Sequence, residues 1–364
     1  MAEYNLITDV TARIKADLCV NTDKKSITLL YAFNSTGKTR LSVAFDTLND
    51  NEEGEIKVLS YNAFLEDLFA WDNESYILRF STNSWVVELV KEQGLEKDIA
   101  DYFKSITNSK IEPSFNFEAG KIIFNIVSGD DSSESNIKIS KSEESMLIWS
   151  IFHSVLETAI DALNTEEEEN RTTDKFNNLE YIVIDDPVSS IDDARIIAMA
   201  VKLFETMQSS KNKKINFLIT THHALFYNVL FNSIKNLKKK DAKRFFYILS
   251  KKENILELVE QGNDSPFAYH LLVKGKIKDA IDSDNIEKYH FNLFRGLLEK
   301  TANFLGYKNF EYCITEERRD GFKKVLHLHS HGKLSELESS IVSNEDKELF
   351  KETFNEFIEN FKYN

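Results

Sequence analysis

The chain has 364 residues, of which 42% are hydrophobic, 12% aromatic and 29% charged, and its net charge is −15. This is about two to three times the length of a typical domain, so we expect two domains with full hydrophobic cores and exclude a disordered polypeptide. The acidic balance argues against non-specific nucleic-acid binding, because contacts to phosphate need basic side chains. An RNA substrate would therefore need a local basic patch. Two runs of cations are candidates: Lys235, Lys238, Lys239, Lys240, Lys243 and Arg244, and Lys274, Lys276 and Lys278.

The cysteine content and the N-terminus predict a cytoplasmic protein. Cys19 and Cys313 are far apart and match no metal-binding or redox spacing, which favours a reducing compartment. The first residues, MAEYNLITDV, lack the basic and apolar regions of a secretory signal. No apolar run reaches the ~20 residues of a membrane span, so we expect no membrane partner.

The first half of the chain mixes strand and helix patterns. Residues 26–33 (SITLLYAF) predict a strand, and a polar turn connects them to a helix-like segment, 39–50. Residues 75–105 predict helix, with Trp85 and Leu89 at helical spacing. Further along, Lys121–Val127 predicts a strand, and a long apolar helix follows over residues 143–163.

Three short apolar runs follow, at residues 181–185, 216–221 and 244–250. Each is continuously apolar, which is typical of strands buried on both faces, so we predict an α/β domain with a parallel sheet. After a turn cluster near residue 264 the pattern becomes mainly helical. We therefore predict an α/β domain over residues 1–262 and a smaller, mainly α-helical domain over residues 263–364.

Residues 32–39 (AFNSTGKT) match a phosphate-binding loop, with Ala32 in place of the usual first glycine. In such a loop the backbone N–H groups surround the phosphates, the Lys38 ammonium reaches the β and γ oxygens, and the Thr39 hydroxyl ligates Mg²⁺. A strand before the loop and a helix after it favour this interpretation over a chance match. The candidate nucleotide-binding residues are Asn34, Ser35, Thr36, Gly37, Lys38, Thr39 and Arg40.

Two carboxylates, Asp185 and Asp186, end the apolar run 181–185. In a nucleotide site Asp185 would hold Mg²⁺, and Asp186 would orient or deprotonate the attacking water. Taken alone, the pair could equally be aspartates that cap a strand end. His222 follows Thr221 at the end of another apolar run, where a histidine could sense the γ-phosphate, although such a histidine alone is more often structural.

Residues 139–144 (ISKSEE) precede the long helix and are similar to a degenerate LSGGE signature. The Ser140 hydroxyl and the helix N-terminus would suit a γ-phosphate, whereas on its own this serine would be an ordinary helix cap. The candidate contacts from this segment are Ser140, Lys141, Ser142 and Glu143.

The order of these motifs indicates the class of NTPase. The phosphate loop, the signature, the paired aspartates, the sequence SSIDD (189–193) and the strand-end histidine occur in the order of an ATP-binding-cassette (ABC) head domain. The chain thus resembles soluble ABC-type ATPases of DNA maintenance and phage defence. The resemblance implies a P-loop NTPase head that forms a homodimer, in which the signature of one subunit covers the nucleotide of the other.

In the C-terminal part, residues 289–301 predict a helix that places Arg295 and Glu299 on one face. With a histidine from the downstream run His327, His329 and His331, they provide the groups needed for metal-free RNA cleavage. A base takes the 2′-OH proton, an acid protonates the leaving 5′-oxygen and a cation stabilises the phosphorane. By spacing alone, an Arg–Glu pair four residues apart is more often a surface ion pair.

Three histidines at alternate positions, His327, His329 and His331, also raise the possibility of a metal site on a strand. This interpretation is weaker, because no carboxylate or cysteine at ligand spacing accompanies them. We therefore expect no metal ion at the RNA-cleaving site.

Long segments across nearly the whole chain are similar to the PrrC family of bacterial anticodon nucleases. These segments are residues 31–42, 61–73, 139–152, 184–193, 289–307 and 330–335. The resemblance implies an ABC-type NTPase joined to a nuclease that cuts tRNA on the 5′ side of the wobble base, leaving a 2′,3′-cyclic phosphate and a 5′-OH. It places the catalytic triad on Arg295, Glu299 and His331, and it makes lysine tRNA the expected substrate.

The chain departs from the pattern of the family in two places. Ser35 stands where the family usually has glycine, which would slow hydrolysis if this position needs a positive φ. The segment 262–270 is shorter than in the family, and Asp264 is the best match for its acidic residue that contacts the anticodon.

The cofactors that the resemblance implies are ATP, GTP or a deoxynucleotide with Mg²⁺. The implied partners are a second copy of the chain and a type I DNA restriction–modification complex that silences the nuclease until phage infection.

Two alternatives stay open at this point. The same fold could cut another RNA, or the chain could be an ATPase clamp or sensor without nuclease activity. The clamp is less favoured, because the interval of about 100 residues between phosphate loop and signature shows no sustained heptads.

Overall fold

The computed structural model describes most of the chain. The described residues are 2–19, 23–33, 35–48, 56–62, 65, 67–127, 133–134, 136–188, 191–238, 240–252, 255–262, 269–330 and 342–361. The chain forms two compact units, Met1–Pro266 and Phe267–Asn364, here called the N-terminal unit and the C-terminal unit. The boundary expected from the sequence lies slightly earlier, after residue 262.

Strands and helices are numbered separately in chain order. The strands are β1 (Ala2–Tyr4), β2 (Lys25–Ala32), β3 (Val58–Tyr61), β4 (Phe69–Asp72), β5 (Ile77–Phe80), β6 (Ile111–Asn116), β7 (Lys121–Val127), β8 (Ser133–Glu134), β9 (Tyr181–Asp185), β10 (Asn216–Thr221), β11 (Ala242–Lys252) and β12 (Ile255–Glu260). The helices are α1 (Ile7–Cys19), α2 (Lys38–Leu48), α3 (Trp85–Gln93), α4 (Glu96–Thr107), α5 (Lys141–Asn164), α6 (Asp193–Ser209), α7 (Ala224–Lys235), α8 (Tyr269–Asp282), α9 (Lys288–Leu305), α10 (Glu316–Ser330) and α11 (Asn344–Phe361).

A seven-stranded sheet lies at the centre of the N-terminal unit, in the order β1-β12-β11-β2-β10-β9-β3. The strands from β11 to β3 are parallel, whereas β12 and β1 add an antiparallel edge. Every residue of β2 and β9 is buried, as their continuous apolar runs predict. The same expectation is wrong for β11, where several residues are half-buried, because this strand lies next to the antiparallel edge.

A second, five-stranded antiparallel sheet contains β4 to β8. The prediction of helix over residues 75–105 is correct only from α3 onward, because β5 (Ile77–Phe80) occupies the start of that range. The Ser84 hydroxyl accepts a hydrogen bond from Val86 N and caps α3, and Gly94 ends the helix with φ 64°. The helical periodicity of α3 and α4 masked the short strand.

The long helix α5 is a core element of the N-terminal unit. Within the described part of the chain it is the helix that is long and apolar enough to cross a membrane, but 83% of its apolar window is buried inside the protein. A helix that is apolar on most sides is expected in a folded core. Packing within the unit therefore accounts for its composition.

The described residues of the C-terminal unit are helical, with α8 to α11 and a short 3-10 helix, Phe310–Cys313, around an aromatic core. The Phe294 ring centroid lies 5.4 Å from that of Phe322 and 5.2 Å from that of Phe354, so α9 packs against α10 and α11. The predicted α/β head followed by a smaller helical part is confirmed. The interpretation of His327 and His329 as strand residues is wrong, because both lie on α10.

Candidate functional site

The candidate nucleotide site forms where the parallel strands β2, β10 and β9 end. Strand β10 lies between the other two, and its Thr220 is in register with Asp185 of β9. The carboxyl ends of parallel strands meet at one edge of a sheet, which is where α/β folds bind ligands. This arrangement brings the phosphate loop, the paired aspartates and the strand-end histidine together from segments far apart in the sequence.

The phosphate loop turns from β2 directly into α2. Ala32, which replaces the usual first glycine, is the fully buried last residue of β2. Ser35 has φ 65° and Gly37 has φ 101°, so the loop needs a left-handed backbone at both positions. The Thr36 hydroxyl donates a 2.7 Å hydrogen bond to the carbonyl of Phe33 and closes the turn.

Lys38, Asp186 and His222 form a polar cluster at this edge. Lys38 Nζ lies 3.6 Å from Asp186 Oδ2 and donates 3.3 Å hydrogen bonds to the carbonyls of Ala32 and Phe33. His222 Nδ1 lies 2.5 Å from Asp186 Oδ2, and the His222 backbone N–H donates to Asp186 Oδ1 at 3.2 Å. Burial opposes the charge on Asp186, but the hydrogen bond and charge of His222, together with Lys38, hold its pKa below the usual value. This carboxylate is therefore poised as an acceptor.

Asp185 has a different environment from that of its neighbour. Thr220 Oγ1 donates a 2.5 Å hydrogen bond to Asp185 Oδ1, and the Thr39 hydroxyl also donates to this carboxylate. Burial raises the pKa of Asp185 in spite of both hydrogen bonds. A threonine hydroxyl against a carboxylate is a donor set that suits Mg²⁺ together with nucleotide phosphates. Thr39 and Asp185 thus fit the Mg²⁺ ion that binds together with a nucleotide.

Ser140 caps helix α5 through a capping box with Glu143. The Glu143 backbone N–H donates to Ser140 Oγ at 3.2 Å, and the Ser140 backbone N–H donates to Glu143 Oε2 at 2.8 Å. Lys141 Nζ is paired with Glu144 Oε1 at 2.9 Å. Within one chain this segment is thus a surface helix cap, and Ser142 is its half-buried neighbour.

In the C-terminal unit, Arg295 and Glu299 are brought together on one face of α9. Arg295 Nε donates a 2.8 Å hydrogen bond to Glu299 Oε1, and the two side chains are 27% and 47% exposed. The Arg295 guanidinium carbon lies 5.7 Å from the centroid of the Phe310 ring. Phe310 was not a candidate from the sequence, because no spacing rule connects a helix to an aromatic side chain beyond its end.

Three candidates, Asn34, Asp264 and His331, lie outside the described residues. His329 Nε2 is 3.0 Å from Asp346 Oδ2, and its ring lies 4.6 Å from that of Phe291, so its contacts are those of a core histidine. Among the described residues there is no group of three or more His, Cys, Asp or Glu side chains that could hold a metal ion.

In one of the two candidate basic patches, two side chains make contacts within the protein. Arg244 Nη1 donates to the carbonyls of Ile234 at 3.3 Å and Leu237 at 2.9 Å, and so satisfies the C-terminal end of α7. The Lys235 ammonium lies 5.8 Å from the centroid of the Phe231 ring. These contacts explain part of this charge run without a nucleic-acid ligand.

Comparisons with known proteins place the chain in a family. A family model described as an AAA domain matches residues 97–359. An anticodon nuclease of Escherichia coli is 39% identical over 333 residues, which cover 85% of this chain and 82% of that protein. The solved Smc head domain of Pyrococcus furiosus, with an extended coiled coil and the C-terminal domain of ScpA, aligns at 10% identity with a TM-score of 0.30, over 66% of this chain and 45% of that structure. The 39% identity to the anticodon nuclease over most of both chains shows that the chain belongs to the PrrC family of anticodon nucleases, which are endoribonucleases with an NTPase domain.

Proposed function

We propose that the chain is a nucleotide-gated nuclease that cuts lysine tRNA in the anticodon loop, on the 5′ side of the wobble nucleotide. The observation that carries this proposal is the Arg295–Glu299 pair on α9, in a chain 39% identical to an anticodon nuclease. The NTPase domain is assigned to residues 1–262 and the nuclease domain to residues 263–364, where Asp264 contacts the anticodon.

The cleavage is a transesterification that involves no metal ion. The 2′-oxygen attacks the adjacent phosphorus and the bond to the 5′-oxygen breaks, which leaves a 2′,3′-cyclic phosphate and a 5′-OH. One of Glu299 and His331 removes the 2′-OH proton, and the other gives a proton to the leaving oxygen. Arg295, oriented by Glu299 and Phe310, stabilises the negative charge of the phosphorane. The last turn of α10, after which the chain continues to His331, contacts α9 at Phe291, one turn before Arg295.

The N-terminal unit binds and hydrolyses ATP, GTP or a deoxynucleotide. The loop residues 34–40 surround the phosphates, and Lys38 binds the β and γ oxygens. Thr39 and Asp185 would hold a Mg²⁺ ion, which would supply positive charge at the phosphates. Asp186 orients the attacking water, and the half-exposed His222, bonded to Asp186, contacts the γ-phosphate.

The functional unit is a homodimer or a larger assembly. In it, the segment from Ser140 to Glu143 of one subunit covers the nucleotide of the other, as the exposed position of this helix cap allows. We assign the protein to the cytoplasm and to phage defence, and a type I DNA restriction–modification complex keeps it latent.

The test is to map RNA ends in cells that express the parent chain or Glu299→Gln. We expect a cut 5′ of the wobble nucleotide of lysine tRNA, with a 2′,3′-cyclic phosphate, in the parent only. Cleavage at another RNA would overturn the substrate, and no cleavage product from a well-expressed parent would overturn the nuclease. The metal requirement is tested under conditions in which RNA cleavage by the parent protein no longer depends on nucleotide. If EDTA stops cleavage under these conditions, the metal-free chemistry is contradicted.

A further inference from the structure

The C-terminal unit exposes a cluster of aromatic rings around the 3-10 helix Phe310–Cys313. Tyr307 is 41% exposed and Tyr312 is 53% exposed, and their ring centroids lie 6.2 Å apart. Large apolar side chains grouped in water usually mark a binding surface, whereas isolated ones do not. The core of this unit is already filled by other aromatic residues, so packing does not explain the cluster.

Arg319 adds a planar cation to the same surface. Its guanidinium carbon lies 5.5 Å from the centroid of the Tyr312 ring. Arg319 Nε donates to the carbonyl of Glu311 at 3.0 Å and Nη2 donates to the carbonyl of Ile314 at 3.3 Å, which holds the group in place. Arg319 forms no ion pair with an acidic side chain in the described part of the C-terminal unit.

The Arg295–Glu299 pair lies next to the 3-10 helix that carries Tyr312. Phe310 and Tyr312 belong to the same short 3-10 helix, and the Phe310 ring lies 5.7 Å from the guanidinium carbon of Arg295. A ligand whose phosphate reaches Arg295 therefore has its neighbouring groups within reach of this helix.

We propose that Tyr307, Tyr312 and Arg319 form a stacking platform for the unpaired bases of the RNA loop, next to the phosphate that Arg295 and Glu299 cleave. The proposal rests on the proposed function and adds its mode of substrate binding. Single-stranded RNA is bound by stacking its bases on aromatic rings and guanidinium planes. Stacking also suits a chain of net charge −15, because it adds affinity without many basic side chains.

Binding is measured by fluorescence anisotropy with the full-length protein and the anticodon stem-loop of lysine tRNA. The loop carries 2′-deoxy nucleotides, which lack the nucleophile and cannot be cut. We expect Tyr307→Ala and Tyr312→Ala each to raise Kd about 10-fold, and Tyr312→Phe, which keeps the ring, to leave Kd unchanged. The matched control is Phe304→Ala. Phe304 is 90% exposed but lies about 140° around α9 from Glu299, and its loss should not change Kd.

A second measurement uses the parent protein alone. A 2-aminopurine base in the loop should lose fluorescence on binding, because stacking quenches it. An unquenched base, unchanged Kd in both alanine variants, or an equal loss in Phe304→Ala would overturn the platform. A dimer-to-monomer shift of Tyr312→Ala in sedimentation would also overturn it, since the cluster would then bind a second copy of the chain.

Cleavage of the all-ribose stem-loop by the parent is measured in parallel. If the parent does not cut this RNA, the proposed function fails. If the parent cuts it and the tyrosine variants bind normally, only the platform fails.

Discussion

The two candidate sites hold their charged residues in different ways. In the N-terminal unit, Lys38, Asp186 and His222 come from three distant segments and meet at the ends of buried strands, where the Lys38 side chain is only 8% exposed. In the C-terminal unit, Arg295 and Glu299 lie four residues apart on one helix, with side chains 27% and 47% exposed. One site is built by the fold of a whole sheet, and the other by the surface of a single helix.

This difference affects how firmly the charged side chains of each site are held in the absence of a ligand. The Lys38 and Asp186 side chains are only 8% and 20% exposed, and charges with little exposure interact strongly, so this pair is organised before a ligand arrives. A half-exposed ion pair contributes only about 0.2–1 kcal/mol, so Arg295 and Glu299 hold each other weakly.

The largest expected effect is that of Glu299→Gln, which should impair the C-terminal site and leave the N-terminal site unchanged. Glu299→Gln keeps the shape of the side chain but cannot accept a proton, so RNA cleavage should fall about 10²–10⁴-fold. Nucleotide hydrolysis should be unchanged. Rates are measured with end-labelled stem-loop RNA and by phosphate release. Glu317→Gln, on the exposed start of α10, is the matched control and should behave like the parent. Cleavage within tenfold of the parent would remove Glu299 from the reaction.

Lys38→Ala tests whether the buried site governs the exposed one. Without the ammonium at the phosphates, nucleotide hydrolysis should fall about 10²–10³-fold. If the nucleotide gates the nuclease, nucleotide-dependent RNA cleavage should fall with it, in contrast to Glu299→Gln. The exposed Lys91→Ala is the control. Parent-level RNA cleavage by Lys38→Ala in the presence of nucleotide contradicts the gating.

Mixing two inactive variants tests the shared nucleotide site. Lys38→Ala and Ser140→Ala should each be inactive alone, but a mixed dimer contains one intact pair of Lys38 and Ser140. A one-to-one mixture should therefore recover about a quarter of the parent NTPase rate, because half of the dimers are mixed and each has one good site. Ser140→Ala should also lower the free energy of unfolding by about 1 kcal/mol through the lost cap. No recovery on mixing argues against a shared site.

The smallest effect concerns the phosphate loop. Ser35 has φ 65°, a conformation that costs a non-glycine residue about 1–2 kcal/mol. Ser35→Gly should remove this strain and raise the NTPase rate about 2–5-fold. Asn108→Gly is a control at a left-handed position outside the phosphate loop, with φ 50°, and it should leave the rate unchanged. A slower Ser35→Gly enzyme would show that the serine hydroxyl is useful at the phosphates.

Local patterns in the sequence predicted much of the N-terminal unit. The apolar runs at 181–185 and 216–221 coincide with β9 and β10, and residues 121–127 with β7. The antiparallel sheet was mostly missed, since β4 and β5 have only four residues each and β5 also pairs with β7, more than forty residues away. Short strands of this kind are stabilised by cross-strand contacts, and they are too short to show a clear periodicity in the sequence.

The sequence by itself predicted a phosphate-binding loop between a strand and a helix, and it placed Arg295 and Glu299 on one helix face, because loop motifs and helical spacing are local properties. Only the tertiary structure placed β10 between β2 and β9, which brings Thr220 to Asp185 and His222 to Asp186. It also placed Phe310 against Arg295. These contacts depend on how strands and helices bury their apolar faces against partners that are distant in the chain, and burial of that kind is a property of the whole fold.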